Sequence, residues 1–105
     1  MLNNIDIQEI ADKLDFDFAD VEMLLEVFVQ TAEETLMSLN EAILNDDFKN
    51  IFMLSHSIKG SASNLLLNDI VDLAKILEFE SNKKNKIDYQ KLFIKLSNEI
   101  EKLKR

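Results

Sequence analysis

The residue with the most chemistry to offer is His56, the one histidine in a chain of 105 residues. An imidazole can serve as nucleophile, base or metal ligand near neutral pH, so its surroundings decide among these roles. On a helix turning about 100° per residue, Ile51, Leu54, Ile58, Ala62 and Leu65 fall roughly 160° to 240° from His56 and form an apolar stripe. Lys49, Phe52, Lys59, Gly60 and Ser63 fall within about 60° of it, so the histidine faces away from the core. Gly60 is the only glycine in the protein. In mid-helix a glycine costs about 1 kcal/mol relative to alanine, and one turn from His56 its missing side chain lets another molecule come close to the imidazole. Ser63, one further turn along, keeps that path open with a small side chain. Lys59, also one turn away, is placed to neutralise an anion that forms on His56.

These residues need a helix, and the rest of the chain supplies the bundle to hold it. Proline is absent and glycine occurs once, while apolar residues make up 47% and charged residues 30% of the chain, values of an ordinary globular domain that nothing repeatedly punctuates. After Asp20, the steps of three and four through Val21, Leu25, Phe28, Ala32, Leu36, Leu39 and Ile43 predict a helix of roughly six or seven turns. Ile5, Ile10 and Leu14 predict a short helix before it, ending in Asp15-Phe16-Asp17-Phe18. Those aspartates suit helix caps better than a calcium loop, whose sixth position needs glycine where this chain has Asp20. Asn45-Asp46-Asp47 breaks the pattern and caps a helix from about Phe48 to Leu65. Asn68 or Asp69 caps the next, with Ile70, Leu73, Ala74 and Leu77 inward. Ser81 through Lys86 reads as a surface loop, and Asp88 caps a last helix striped by Tyr89, Leu92, Phe93, Leu96, Ile100 and Leu103. The expected architecture is all-α, a single domain over residues 1–105: an antiparallel four-helix bundle with a short additional N-terminal helix packed against one end.

Composition removes several function classes. With no cysteine and one histidine there is no disulfide framework, no Cys/His zinc site and no pair of metal-binding histidines. A single glycine excludes the glycine-rich phosphate loops. A formal charge of −8 opposes nucleic-acid backbones, and no apolar run approaches the ~20 residues of a membrane span. The expected setting is cytoplasmic, without membrane or nucleic-acid partners.

The run His56-Ser57-Ile58-Lys59-Gly60 resembles the HxxKG signature of histidine-containing phosphotransfer (HPt) domains, the intermediates of multistep two-component phosphorelays. Met23 to Phe28 and Leu39-Asn40-Glu41-Ala42-Ile43 are similar to the family's first long helix, Asp46-Asp47 to its acidic turn, and Leu73-Ala74-Lys75-Ile76-Leu77-Glu78 to its LA-x-x-LE segment. The resemblance implies that His56 accepts and donates a phosphoryl group on its distal ring nitrogen, that Lys59 screens that group and that Gly60 gives clearance. It also implies that the position of Glu78 holds the other ring nitrogen. Glu78 lies about 90° from the centre of its helix's apolar stripe, so it can border the groove toward a neighbouring helix. There a carboxylate accepting from Nδ1–H would fix the tautomer and leave Nε2 free.

The partners so implied are a response-regulator receiver domain, exchanging phosphoryl through its aspartate, and a hybrid histidine kinase. The chain itself would be a monomer that binds no cofactor, with Mg²⁺ belonging to the receiver, and a phosphoryl carrier without autokinase activity. The His-Glu-x-x-x-Pro pattern of kinase dimerisation helices is missing, since Ser57 follows His56. Phe52 and Met53, apolar on a face that should meet water, are expected to form the docking patch with Ser63 and Lys49. The alternative is an HPt-like bundle acting only as a protein-binding adaptor or inhibitor, although pure scaffolding needs none of His56, Lys59 and Gly60. One departure stands out: the family commonly has a second glycine where this chain has Leu66. The third helix is therefore expected to end near Leu65, with Leu66 and Leu67 bending inward over the end of the bundle.

Overall fold

A computed structural model describes residues 6–104 and places five helices along them. They are α1 (Ile7–Leu14), α2 (Phe18–Leu44), α3 (Phe48–Asn64), α4 (Asn68–Asn82) and α5 (Tyr89–Glu101). Helices α2 to α5 pack each against the next, and α5 closes the ring against α2, which makes the antiparallel four-helix bundle; α1 packs on α2. Its residues Ile10 and Lys13 face the α3–α4 turn and the end of α5, so α1 lies at one end of the bundle, as expected. Every residue of the predicted α2 stripe is buried, as are Ile51, Ile58, Ala62 and Leu65 from the α3 stripe. Leu54, Leu73, Leu92 and Phe93 are half-buried at the margins of the core. Ile5 lies outside the described residues.

The helix boundaries differ from expectation in three places, each with a local cause. Helix α2 starts at Phe18 with Asp17 as its N-cap, so Asp20 sits inside the first turn, where its charge suits the helix dipole. Helix α4 is capped by Leu67, not by Asn68 or Asp69, because the preceding turn occupies residues 65–67 and Asn68 is already helical. Ser81 and Asn82 belong to α4 instead of a surface loop. Ser81 is buried, and its hydroxyl donates to the Leu77 carbonyl at 2.6 Å, which lets a polar residue lie in the core. Asp47 and Asp88 cap α3 and α5 with side-chain bonds to Asn50 N and Lys91 N, as their positions predict.

Helices α1 to α4 end in the same hydrogen-bonded turn, a Schellman motif with one residue in the left-handed region. Its outer bonds run from Phe16 N to Ala11 O, Asp47 N to Ala42 O, Leu67 N to Ala62 O and Asn85 N to Glu80 O, at 2.8 to 3.0 Å. The left-handed residues are Asp15, Asp46, Leu66 and Lys84, with φ between 52° and 57°. Leu66 thus holds a conformation that glycine adopts without strain, and it stays half-buried while Leu67 turns fully inward. None of these four positions is a glycine. The chain's single glycine is used instead in the middle of α3, where helix stability argues against it.

Candidate functional site

The outward prediction for His56 holds: its side chain is 64% exposed, on the third turn of α3. What the site becomes depends on how closely α4 approaches α3, and each of these helices carries small buried residues. Ser55 and Ala62 of α3 and Ala74 and Ser81 of α4 are buried at 0 to 2% exposure, and this helix pair makes the most extensive contact in the bundle. Small side chains let the two backbones come together, and α4 then carries Glu78 to the edge of the imidazole.

Glu78 Oε2 accepts a hydrogen bond from His56 Nδ1, and its Oε1 accepts one from Lys59 Nζ at 2.6 Å. One carboxylate therefore joins the three polar residues. Burial pushes the Glu78 carboxyl up, but the hydrogen bonds from Lys59 and His56, and then their charges, outweigh it and hold the group below the ordinary glutamate range. With Nδ1 taken, the free nitrogen of the ring is Nε2. The ring plane is supported from within α3 by Phe52, which stacks on it with centroids 6.2 Å apart and planes inclined by 18°. A Cβ placed on Gly60 would meet nothing within 4 Å, so no helix crossing explains this glycine.

The structure brings His56, Lys59 and Glu78 into contact, with Gly60 one turn from the histidine on an open face. Met53, Ser63 and Lys49 are exposed around them, whereas Phe52 is half-buried by its stacking and is only partly available as a docking surface. Sequence reasoning missed a further feature beside the site. Leu14, Phe16, Leu24, Val27 and Phe28 wall an apolar groove of about 420 Å³ between α2 and α3, with Ser57 and Ser61 on its α3 side. The signal for it was available in Leu24 and Val27, apolar residues off the buried stripe of α2. The charge pattern is also visible in the sequence: α3 carries Lys49 and Lys59 and no acid, although the chain's formal charge is −8. Among the described residues, no group of three or more side chains could hold a metal ion, and no helix is long and apolar enough to cross a membrane.

Comparison with known proteins supplies a family and a fold. A family model described as Hpt domain matches residues 23–105. Among solved structures, the chain is similar in fold to histidine-containing phosphotransfer protein B (HptB) from Pseudomonas aeruginosa PAO1. The TM-score is 0.83 at 24% identity, over 96% of this chain and 88% of that one. No curated protein matches the sequence.

Proposed function

The chain belongs to the Hpt domain family, the phosphotransfer modules of phosphorelays, and from that premise we propose that His56 is its phosphoryl-carrying residue. In this reading His56 exchanges the group with the aspartate of a receiver domain, within a relay that also includes a hybrid histidine kinase. The observation that carries the proposal is the combination at one ring: Nδ1 bonded to Glu78, Nε2 free, and open space over Gly60 on the same face.

The step follows from those positions. The Nε2 lone pair forms the bond to phosphorus, and the bond from phosphorus to the aspartyl oxygen breaks, its electron pair returning to the receiver carboxylate. The Nδ1 proton stays in its hydrogen bond to Glu78, so the positive charge gained by the ring is offset by that carboxylate, and no general base is required. Reversal uses the same contacts. Such chemistry asks for positioning and charge neutralisation more than for covalent machinery. Lys59 supplies the cation of the cluster, and Mg²⁺ is the receiver's contribution. The acid-free surface of α3 suits the negative charge of a phosphorylated aspartate, and the groove walled by Leu24 and Val27 extends the docking face toward α2. The chain acts as a cytoplasmic monomer in this reading.

Incubation with a receiver domain charged by acetyl phosphate tests the proposal. Label that is acid-labile, stable in base and lost in His56→Gln is the expected result. Receiver binding without any label on His56 would replace it with the adaptor reading.

A further inference from the structure

Resting on that phosphotransfer reading, we propose that an exposed row on α4, Lys75, Phe79 and Lys83, is a docking surface for the receiver domain, taking an apolar side chain of the partner flanked by carboxylates. The three residues are four apart, so they stand one above another along the helix. All three are exposed, and Phe79 at the centre is 57% open to solvent. Lys83 Nζ lies 5.2 Å from the centre of the Phe79 ring, so the aromatic already stands beside a cation. Phe79 follows Glu78, about 100° farther round α4, which sets the row alongside the imidazole on the flank away from α2. An interface of ordinary size, about 800 Å² on each side, reaches ~16 Å from its centre and so covers a helix packed about 8–10 Å from α3.

The partner's charge follows from how this chain divides its own. Residues 1–47 hold thirteen acids and one lysine, a net −12, whereas residues 48–105 hold seven acids against eleven lysines and arginines, a net +4. On the α2 flank of His56, Asp20 and Glu34 stand two turns either side of the groove residue Val27, on the same face of the helix. On the α4 flank the acids are engaged elsewhere. Glu78 is bound in the site, Glu80 accepts from Asn85, and Asp69 and Asp72 line a cleft with Lys95 and Lys102 of α5. Among the described residues, neither Lys75 nor Lys83 is in an ion pair. A receiver that carries a phosphorylated aspartate, and carboxylates to hold Mg²⁺, brings negative charge to His56. Its acidic edge meets lysines over α4 and would meet Asp20 and Glu34 over α2. The two flanks therefore set one orientation of the partner about His56 and favour receivers whose charge is arranged to match.

Charge reversal tests the row with receiver domains of differing surface charge, charged by acetyl phosphate for transfer and uncharged for binding. Phosphoramidate is the control donor: its P–N bond breaks to release ammonia as the bond to Nε2 forms, so no docking is involved. Lys75→Glu with Lys83→Glu should weaken receiver binding and lower kcat/KM of transfer at least ~10-fold at low salt, and by less than about threefold at ~0.5 M salt, where exposed charges are screened. Phe79→Ala should weaken binding about 10-fold at either salt, as loss of an aromatic anchor does. Both variants should take phosphate from phosphoramidate within about twofold of wild type. Lys91→Glu with Lys95→Glu on α5, an equal change of net charge, should leave receiver binding within about twofold. The proposal is overturned if either row variant binds its receiver within about twofold of wild type at low salt, if the α5 pair weakens binding as much, or if phosphoramidate labelling falls in parallel. Self-association of the chain alone, or its capture by phosphatidylserine vesicles, that is lost on reversing the row would give the row another occupant and also overturn it. Receiver binding that depends on the row without any label on wild-type His56 would keep the docking surface and remove the phosphotransfer reading.

Discussion

Replacing Gly60 tests, at one position, whether α3 gives up stability to keep His56 accessible. A Cβ at Gly60 meets no atom within 4 Å, so Gly60→Ala introduces no clash and removes only the backbone entropy cost of glycine. The expected gain is about 1 kcal/mol, the measured difference between the two residues in an exposed helix interior. For a chain of this length the unfolding entropy converts that into a rise of roughly 4–5 °C in Tm. Thermal unfolding followed by circular dichroism reads it directly. Gly60→Gln should also stabilise the helix, by a smaller amount, while its side chain rises from the face that the partner must cover. It should slow transfer from a charged receiver domain at least ~10-fold, since displacements near 1 Å can cost far more than that in an oriented reaction. Labelling by phosphoramidate, a donor small enough to pass, should stay within about twofold. If Gly60→Ala fails to raise Tm, or if Gly60→Gln slows both donors equally, the glycine is not there for clearance.

Four further outcomes are expected. His56→Gln should unfold at nearly the wild-type temperature, because the side chain is largely exposed, yet retain no acid-labile phosphate; a large fall in Tm would show that the residue packs. Leu66→Gly should lie within ~1 kcal/mol of wild type in urea unfolding, since relief of the left-handed strain offsets the lost apolar contact of a half-buried leucine and the added freedom of the unfolded chain. A loss above ~2 kcal/mol would mean that burial at this turn outweighs strain. Ser55→Ala should stabilise by about 1 kcal/mol, because the Ser55 hydroxyl is buried without a hydrogen-bond partner and alanine keeps the α3–α4 seam equally narrow; destabilisation would reveal a bond to that hydroxyl. The Glu78 carboxyl titrates below its ordinary value of 4.5 in the folded protein, so its contribution is present above that value and is lost as pH falls through the folded value. Urea titrations across that acid window should show a shallower loss for Glu78→Gln than for wild type, and parallel curves would remove the interaction.

What the sequence determined by itself follows from local periodicity. The stripe from Val21 to Ile43, the outward direction of His56 and the placement of Gly60 one turn beyond it all depend on 100° per residue within one helix, and neighbours in the chain settle that. Asp47 and Asp88 were legible as caps for the same reason. The four left-handed turns were not, because Asp15, Asp46, Leu66 and Lys84 lack the glycine that marks such a turn, and their conformation is held by hydrogen bonds to the preceding helix. The groove between α2 and α3 likewise needs both of its walls. The partnership of Glu78 with His56, 22 residues away, was implied by the family resemblance, but the contact itself is a matter of tertiary structure. Periodicity could bring Glu78 only to the margin of its own helix. Its contact with the imidazole, and its claim on Lys59, required α4 to lie close against α3, an approach that small buried side chains such as Ser55, Ala62, Ala74 and Ser81 permit and that no single helix can set.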